Sequence, residues 1–128
     1  IQPYGNGFQA SEFARLHRAS GGKGIIICAH NISFPTEAHP KTMWTQLPTV
    51  EEVNQAYAQY LNDALSKPYI LGYHRCQYID RFQPHLKVLK QGLIKADATP
   101  HEELVKLITE TNQGVLERFT AETMLPTD

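Results

Sequence analysis

Two short apolar runs constrain what this chain can fold into more than any other feature. Residues 24–30 read Gly-Ile-Ile-Ile-Cys-Ala-His, and residues 69–74 read Tyr-Ile-Leu-Gly-Tyr-His. Neither alternates apolar with polar residues, and both are too short for a buried helix. Strands of that composition are covered on both faces, the situation of a parallel sheet flanked by helices. Between them, Thr49-Val50-Glu51-Glu52 is a capping box: the Thr49 hydroxyl accepts from the Glu52 amide while the Glu52 carboxylate reaches back to the cap. The helix it opens places Val53, Ala56, Tyr57, Tyr60, Leu61, Ala64 and Leu65 on one broad face, and Ser66-Lys67-Pro68 ends it. Strand, crossover helix and strand make a right-handed βαβ unit.

The rest of the chain repeats that rhythm. Residues 1–3 read as a strand stub closed by Tyr4-Gly5-Asn6-Gly7. Ser11 is the expected N-cap of a helix over residues 12–19, with Phe13, Leu16 and His17 inward and Gly21-Gly22 as its stop. Thr99-Pro100-His101-Glu102 repeats the capping-box pattern and opens a last helix that buries Leu104, Leu107, Ile108 and Val115. The predicted fold is α/β, parallel strands with outer helices, in one domain over residues 1–128.

Composition narrows the function classes. A net charge of -1 lacks the basic excess that nucleic acid or an anionic membrane requires. No apolar run approaches the roughly 20 residues of a membrane-spanning helix. Cys28 and Cys76 cannot form a disulfide framework and read as reduced packing residues. No glycine-rich phosphate loop follows either strand, and no short Cys or His spacing suggests a metal. No cofactor and no metal are therefore expected, and the composition assigns no compartment. The opening at Ile1 reads as that of a fragment or a processed chain.

Ligands of parallel sheets meet the carboxyl ends of the strands. Here those ends are crowded with polar residues: His30 and Asn31, then Ser33, Glu37 and His39, after the first strand; His74, Arg75, Gln77, Tyr78 and Asp80 after the second. Two long loops, 31–48 and 75–98, leave from the same edge, and loops of that length in a compact domain are usually functional. The expectation is a polar cleft whose side chains hydrogen-bond sugar hydroxyls. His30 and His74 are either sugar contacts or histidines satisfied inside the core. Trp44, in the first loop, either stacks on a sugar ring or pins the loop.

The second strand and its flanks carry a resemblance. Leu65-Ser66-Lys67-Pro68-Tyr69-Ile70-Leu71 leading into Gly72-Tyr73-His74-Arg75-Cys76-Gln77-Tyr78-Ile79-Asp80 resembles the last barrel strand of agarase- and β-galactosidase-like glycoside hydrolases. Phe13-Ala14-Arg15-Leu16-His17 with residues 21–27, followed by Ser33-Phe34-Pro35, is similar to the helix and strand that deliver the nucleophile there. The resemblance spans nearly the whole chain, but only the last third to half of such a barrel. It implies a half (βα) barrel of three to four units and cleavage of β-glycosidic bonds, with β-galactosides favoured.

Two departures stand beside it. The place of the family's nucleophilic glutamate is held by Asn31 or Ala29, and the aromatic platform after the strand-eight histidine is Arg75. Only Glu37 and Asp80 put carboxyls near the strand ends, so they are the candidate catalytic pair. His30, Asn31, His74, Arg75, Gln77, Tyr78 and Trp44 are the candidate sugar contacts. The opposing expectation is an inactive carbohydrate-binding or structural relic. A half barrel exposes strand edges, which predicts a homodimer.

Overall fold

The computed structural model describes residues 7–123, so the strand stub expected at residues 1–3 lies outside it. The chain runs α1 (Ala10–Ala19), β1 (Ile25–His30), β2 (Ile32–Ser33), β3 (Thr45–Gln46), α2 (Val50–Leu65), β4 (Ile70–Arg75), β5 (Arg81–Gln83), β6 (Val88–Lys90) and α3 (Glu102–Thr123). The two apolar runs do lie side by side. β1 pairs with β4 in parallel, with Ile25 opposite Ile70, Ile26 opposite Gly72, Ile27 opposite Tyr73 and His30 opposite Arg75.

That register slips twice, and the second slip decides which way the strand-end residues face. Two residues of β1, Cys28 and Ala29, face one step of β4. Ala29 takes up the surplus at φ 56, the left-handed region that an L side chain enters at a cost of about 1–2 kcal/mol. Bulges re-aim the side chains that follow them. Here four consecutive residues, His30, Asn31, Ile32 and Ser33, turn inward and are buried.

Local chemistry explains where the helices begin and end. At α2 the capping box forms as expected: Glu52 N donates to Thr49 Oγ1 at 3.2 Å, and Thr49 N to Glu52 Oε2 at 3.2 Å. Thr49→Ala should lower stability by about 1 kcal/mol, measured as a shift in the urea midpoint at constant slope. At α1 the expected Ser11 cap is not used. The cap position is Gln9, whose side chain makes no capping hydrogen bond to the helix, and Phe8 stacks on Phe13 with ring centroids 4.7 Å apart. That is a hydrophobic staple between the residue before the cap and the fourth of the helix, and it sets the entry in place of a serine. Gly21 (φ 73) and Gly22 (φ 82) end α1 as expected, their amides returning to the carbonyls of Arg18 and His17. At α3 the second box does not form. Thr99 Oγ1 donates to Asp97 at 2.6 Å, and the helix starts three residues later.

The two long loops are not structureless. The first contains β2 and β3, paired in parallel (Ile32 with Thr45, Ser33 with Gln46), and the second contains the antiparallel β5–β6 hairpin. A bridge from Thr42 to Leu89 ties one loop to the other. Beneath them are two apolar clusters. One joins Phe13, Ile25, Ile27, Tyr60, Ala64 and Ile70; the other joins Ile32, Val53, Tyr57, Leu61, Leu104 and Ile108. No helix among the described residues is long and apolar enough to cross a membrane.

Candidate functional site

The two loops close around an open cleft of ≈ 870 Å³. From the first loop it takes Glu37 and His39, from the second Asp80 and Phe82, and from the approach to α3 Lys95, Asp97 and His101. Both expected catalytic carboxyls thus face one space. Their surroundings differ. Glu37 is exposed on a tight turn in which Thr36 and His39 exchange backbone hydrogen bonds of 3.1 and 3.2 Å. Asp80 is held from both sides: Gly92 N donates to Oδ1 at 2.6 Å, and His101 Nε2 lies 2.9 Å from Oδ2, with the two side chains only 7% and 9% exposed. Asp97 is anchored differently. Hydrogen bonds from the Thr99 hydroxyl and amide hold its carboxyl below the usual range.

The expected sugar contacts divide into three groups. His30, Asn31, Arg75 and Gln77 are spent on the interior. The His30 ring stacks on Tyr60 at 3.9 Å between centroids, and its Nδ1 lies 3.0 Å from the Tyr73 hydroxyl. That hydroxyl gives its proton to the His30 carbonyl at 2.9 Å, so the ring nitrogen is the donor of the pair. Burial pushes the Tyr60 phenol up to about 12 and raises that of Tyr73 as well. Asn31 Nδ2 donates to the Gln91 carbonyl at 2.8 Å, while Asn31 Oδ1 is buried without a partner. Gln77 Nε2 braces the second loop through the carbonyls of Ile79 (2.6 Å) and Lys90 (2.9 Å).

His74 and Tyr78 make up the second group and are exposed, Tyr78 at 67%. Trp44 is the third. It is half-buried, its indole nitrogen lacks a partner, and it does not line the cleft. Cys28 and Cys76 are free and half-buried.

Sequence reasoning missed His101 as the partner of Asp80. The signal was present in the chain, but Thr99-Pro100-His101-Glu102 was legible only as a helix start. The structure places His101 just before α3 with its ring against the Asp80 carboxylate. Lys95 and Asp97 lie in the second long loop, but nothing in their spacing marked them as candidates.

No family model matches the chain, and no curated protein does. Solved structures do. An exo-beta-agarase superposes with a TM-score of 0.73 at 22% identity over 90% of this chain and 16% of its own. A second agarase, AgWH50C, gives 0.71 at 18% identity over 89% and 18%. The beta-glucuronidase of Faecalibacterium prausnitzii gives 0.60 at 14% over 88% and 21%. The chain therefore has a glycoside-hydrolase-like fold and spans about a fifth or less of the length of these neighbours.

Proposed function

We propose that this chain forms part of the saccharide groove of a glycoside hydrolase that cleaves β-galactosides, built on a half (βα) barrel, with Glu37 and Asp80 as its carboxyl pair. The observation that carries the reading is the sharing of one cleft by Glu37 and Asp80, in the loops that follow the carboxyl ends of the parallel strands. Glycoside cleavage uses one carboxyl to protonate the leaving oxygen and a second on the opposite side of the sugar. Glu37 is the exposed carboxyl of the two, open to a leaving group in the cleft, and is assigned the proton-donating role. Asp80, fixed in orientation by Gly92 and His101, suits the second. The resemblance to agarases favours galactosides. Phe82, exposed and lining the cleft, offers an aromatic face to a sugar ring, whereas Tyr78, also exposed, does not line it.

A second reading, binding without turnover, has its own support. Both Asp80 oxygens are already engaged, and the strand end carries the Asn31 amide, itself turned into the core. Nitrophenyl β-galactoside and β-glucoside assays separate the two. Glu37→Gln should lower turnover by about 100-fold or more, with galactosides preferred over glucosides. Turnover unchanged in that variant removes the carboxyl pair. Calorimetric binding of a β-linked galacto-disaccharide by a chain that never turns over establishes the second reading.

A further inference from the structure

The turn that leads into α3 holds two opposite charges apart. Residues 95–99, Lys-Ala-Asp-Ala-Thr, fold back on themselves: Lys95 N donates to the Thr99 carbonyl at 2.7 Å, and Ala98 N to the Lys95 carbonyl at 3.0 Å. Ala98 sits at φ 68, in the left-handed region that an alanine enters at a cost. The Asp97 carboxyl is pinned within that turn. The Thr99 amide and hydroxyl both donate to Oδ1, at 2.9 and 2.6 Å, and among the described residues no other residue donates to Oδ2. The Lys95 ammonium attracts this carboxylate through space, but the ion pairs among the described residues are Arg15–Glu12 and His101–Asp80.

Both charges line the ≈ 870 Å³ cleft. They also lie close to the candidate acid in the chain of contacts, since Asp80 N donates at 2.7 Å to the carbonyl of Ile94, the residue before Lys95. An ammonium can only donate hydrogen bonds and a carboxylate can only accept them, whereas a hydroxyl does either. A fixed acceptor beside a donor, each unsatisfied by the other, suits two hydroxyls on neighbouring carbons. One gives its proton to Asp97 and the other accepts from Lys95, and both bonds are of the stronger, charge-assisted kind. The Thr99 bonds that hold the Asp97 carboxyl below the usual range also keep it ionised, and so an acceptor, as the medium turns acidic. Charged occupants fit less well. A sulfate or a uronate would face three carboxyls, Glu37, Asp80 and Asp97, and an amino sugar would face the lysine.

We propose that Lys95 and Asp97 form a subsite of the saccharide groove inferred above, on whose existence it rests, where each engages one of two adjacent ring hydroxyls of a neutral sugar. Asp97 and Lys95 thereby select among sugars by hydroxyl pattern and take no part in bond cleavage.

The test titrates the nitrogen-15-labelled chain with methyl β-galactoside and its 2-, 3- and 4-deoxy analogues, following amide shifts by NMR. Two adjacent deletions should each weaken binding about tenfold, the worth of one hydrogen bond to a charged group. Asp97→Asn, which keeps an acceptor for Thr99, should erase the sensitivity at one of those positions and leave the other. Lys95→Met should do the reverse. Urea midpoints of both variants should stay near that of the parent. Parent binding with no sensitive hydroxyl, sensitive positions that are not adjacent, or sensitivities unchanged in both variants would overturn the subsite while leaving the groove. So would a shifted midpoint with unchanged sensitivities, which assigns the turn a structural role alone. A parent chain that binds no galactoside at all would remove the groove and the subsite together.

Discussion

Asp80→Ala is expected to destabilise the chain by about 3 kcal/mol, among the largest effects of any single substitution outside the apolar clusters. The side chain joins three segments at once: its own loop, the Gly92 amide and His101 at the threshold of α3. Alanine leaves the His101 ring nitrogen and the Gly92 N–H inside without their acceptor, and stranding one partner of a buried pair costs about 3–5 kcal/mol. The partial exposure of the pair argues for the lower end. Asp80→Asn keeps an acceptor for Gly92 and should lose less than half as much. Urea melts of both variants check this, and an alanine variant with an unchanged midpoint would show that the brace does not hold the loop. The same comparison serves the functional question. Loss of turnover in the asparagine variant informs on chemistry only where its midpoint stays near that of the parent.

Gly92→Ala should be at least as damaging. A Cβ there would sit 2.5 Å from the Tyr78 carbonyl oxygen, 2.6 Å from its carbon and 2.8 Å from the Ile79 carbonyl carbon. None of these atoms can swing aside. The Tyr78 oxygen accepts from both Leu93 N and Ile94 N at 2.9 Å, so moving it breaks the ties that position the second loop. A loss of about 3 kcal/mol or more is expected, since overpacking against backbone cannot relax through rotamers. Gly24 is the control. A Cβ there lies closer still to a neighbour, 2.3 Å from Leu71 Cδ1, yet that neighbour is the tip of a solvent-exposed side chain. Gly24→Ala should cost a small fraction of the Gly92 effect. Equal losses at the two glycines would show that distance alone, rather than what can yield, governs the outcome.

The frame of the fold was legible because its signals are local and mutually consistent. Two apolar runs, a capping box between them and a pair of glycines after α1 each dictate a conformation through neighbours a few residues away. What was illegible depends on competition between local signals, and on contacts distant in sequence. Ser11 has the chemistry of a cap, but the packing of Phe8 on Phe13 outweighs it. At Thr99 the neighbouring Asp97 carboxylate takes the hydroxyl that the capping box would use. The strand-end residues show the same limit for the site. His30, Asn31, Arg75 and Gln77 have side chains that suit a sugar, and composition alone cannot tell a rim from an interior. The deciding event is the surplus residue at Ala29, which tips the following stretch inward. Glu37 and Asp80 were found because they are the acids near the strand ends, whereas His101 required knowing where α3 begins.

Helix α2 contributes to both apolar clusters, Tyr60 and Ala64 to one and Val53, Tyr57 and Leu61 to the other, on interleaved turns of the same rod. Neither half of the interior can therefore loosen while its counterpart stays intact, because the element they hold in common would have to be ordered and disordered at once. Heat should consequently dismantle the β1–β4 side and the α3 side in a single step, with one midpoint whichever tyrosine is watched.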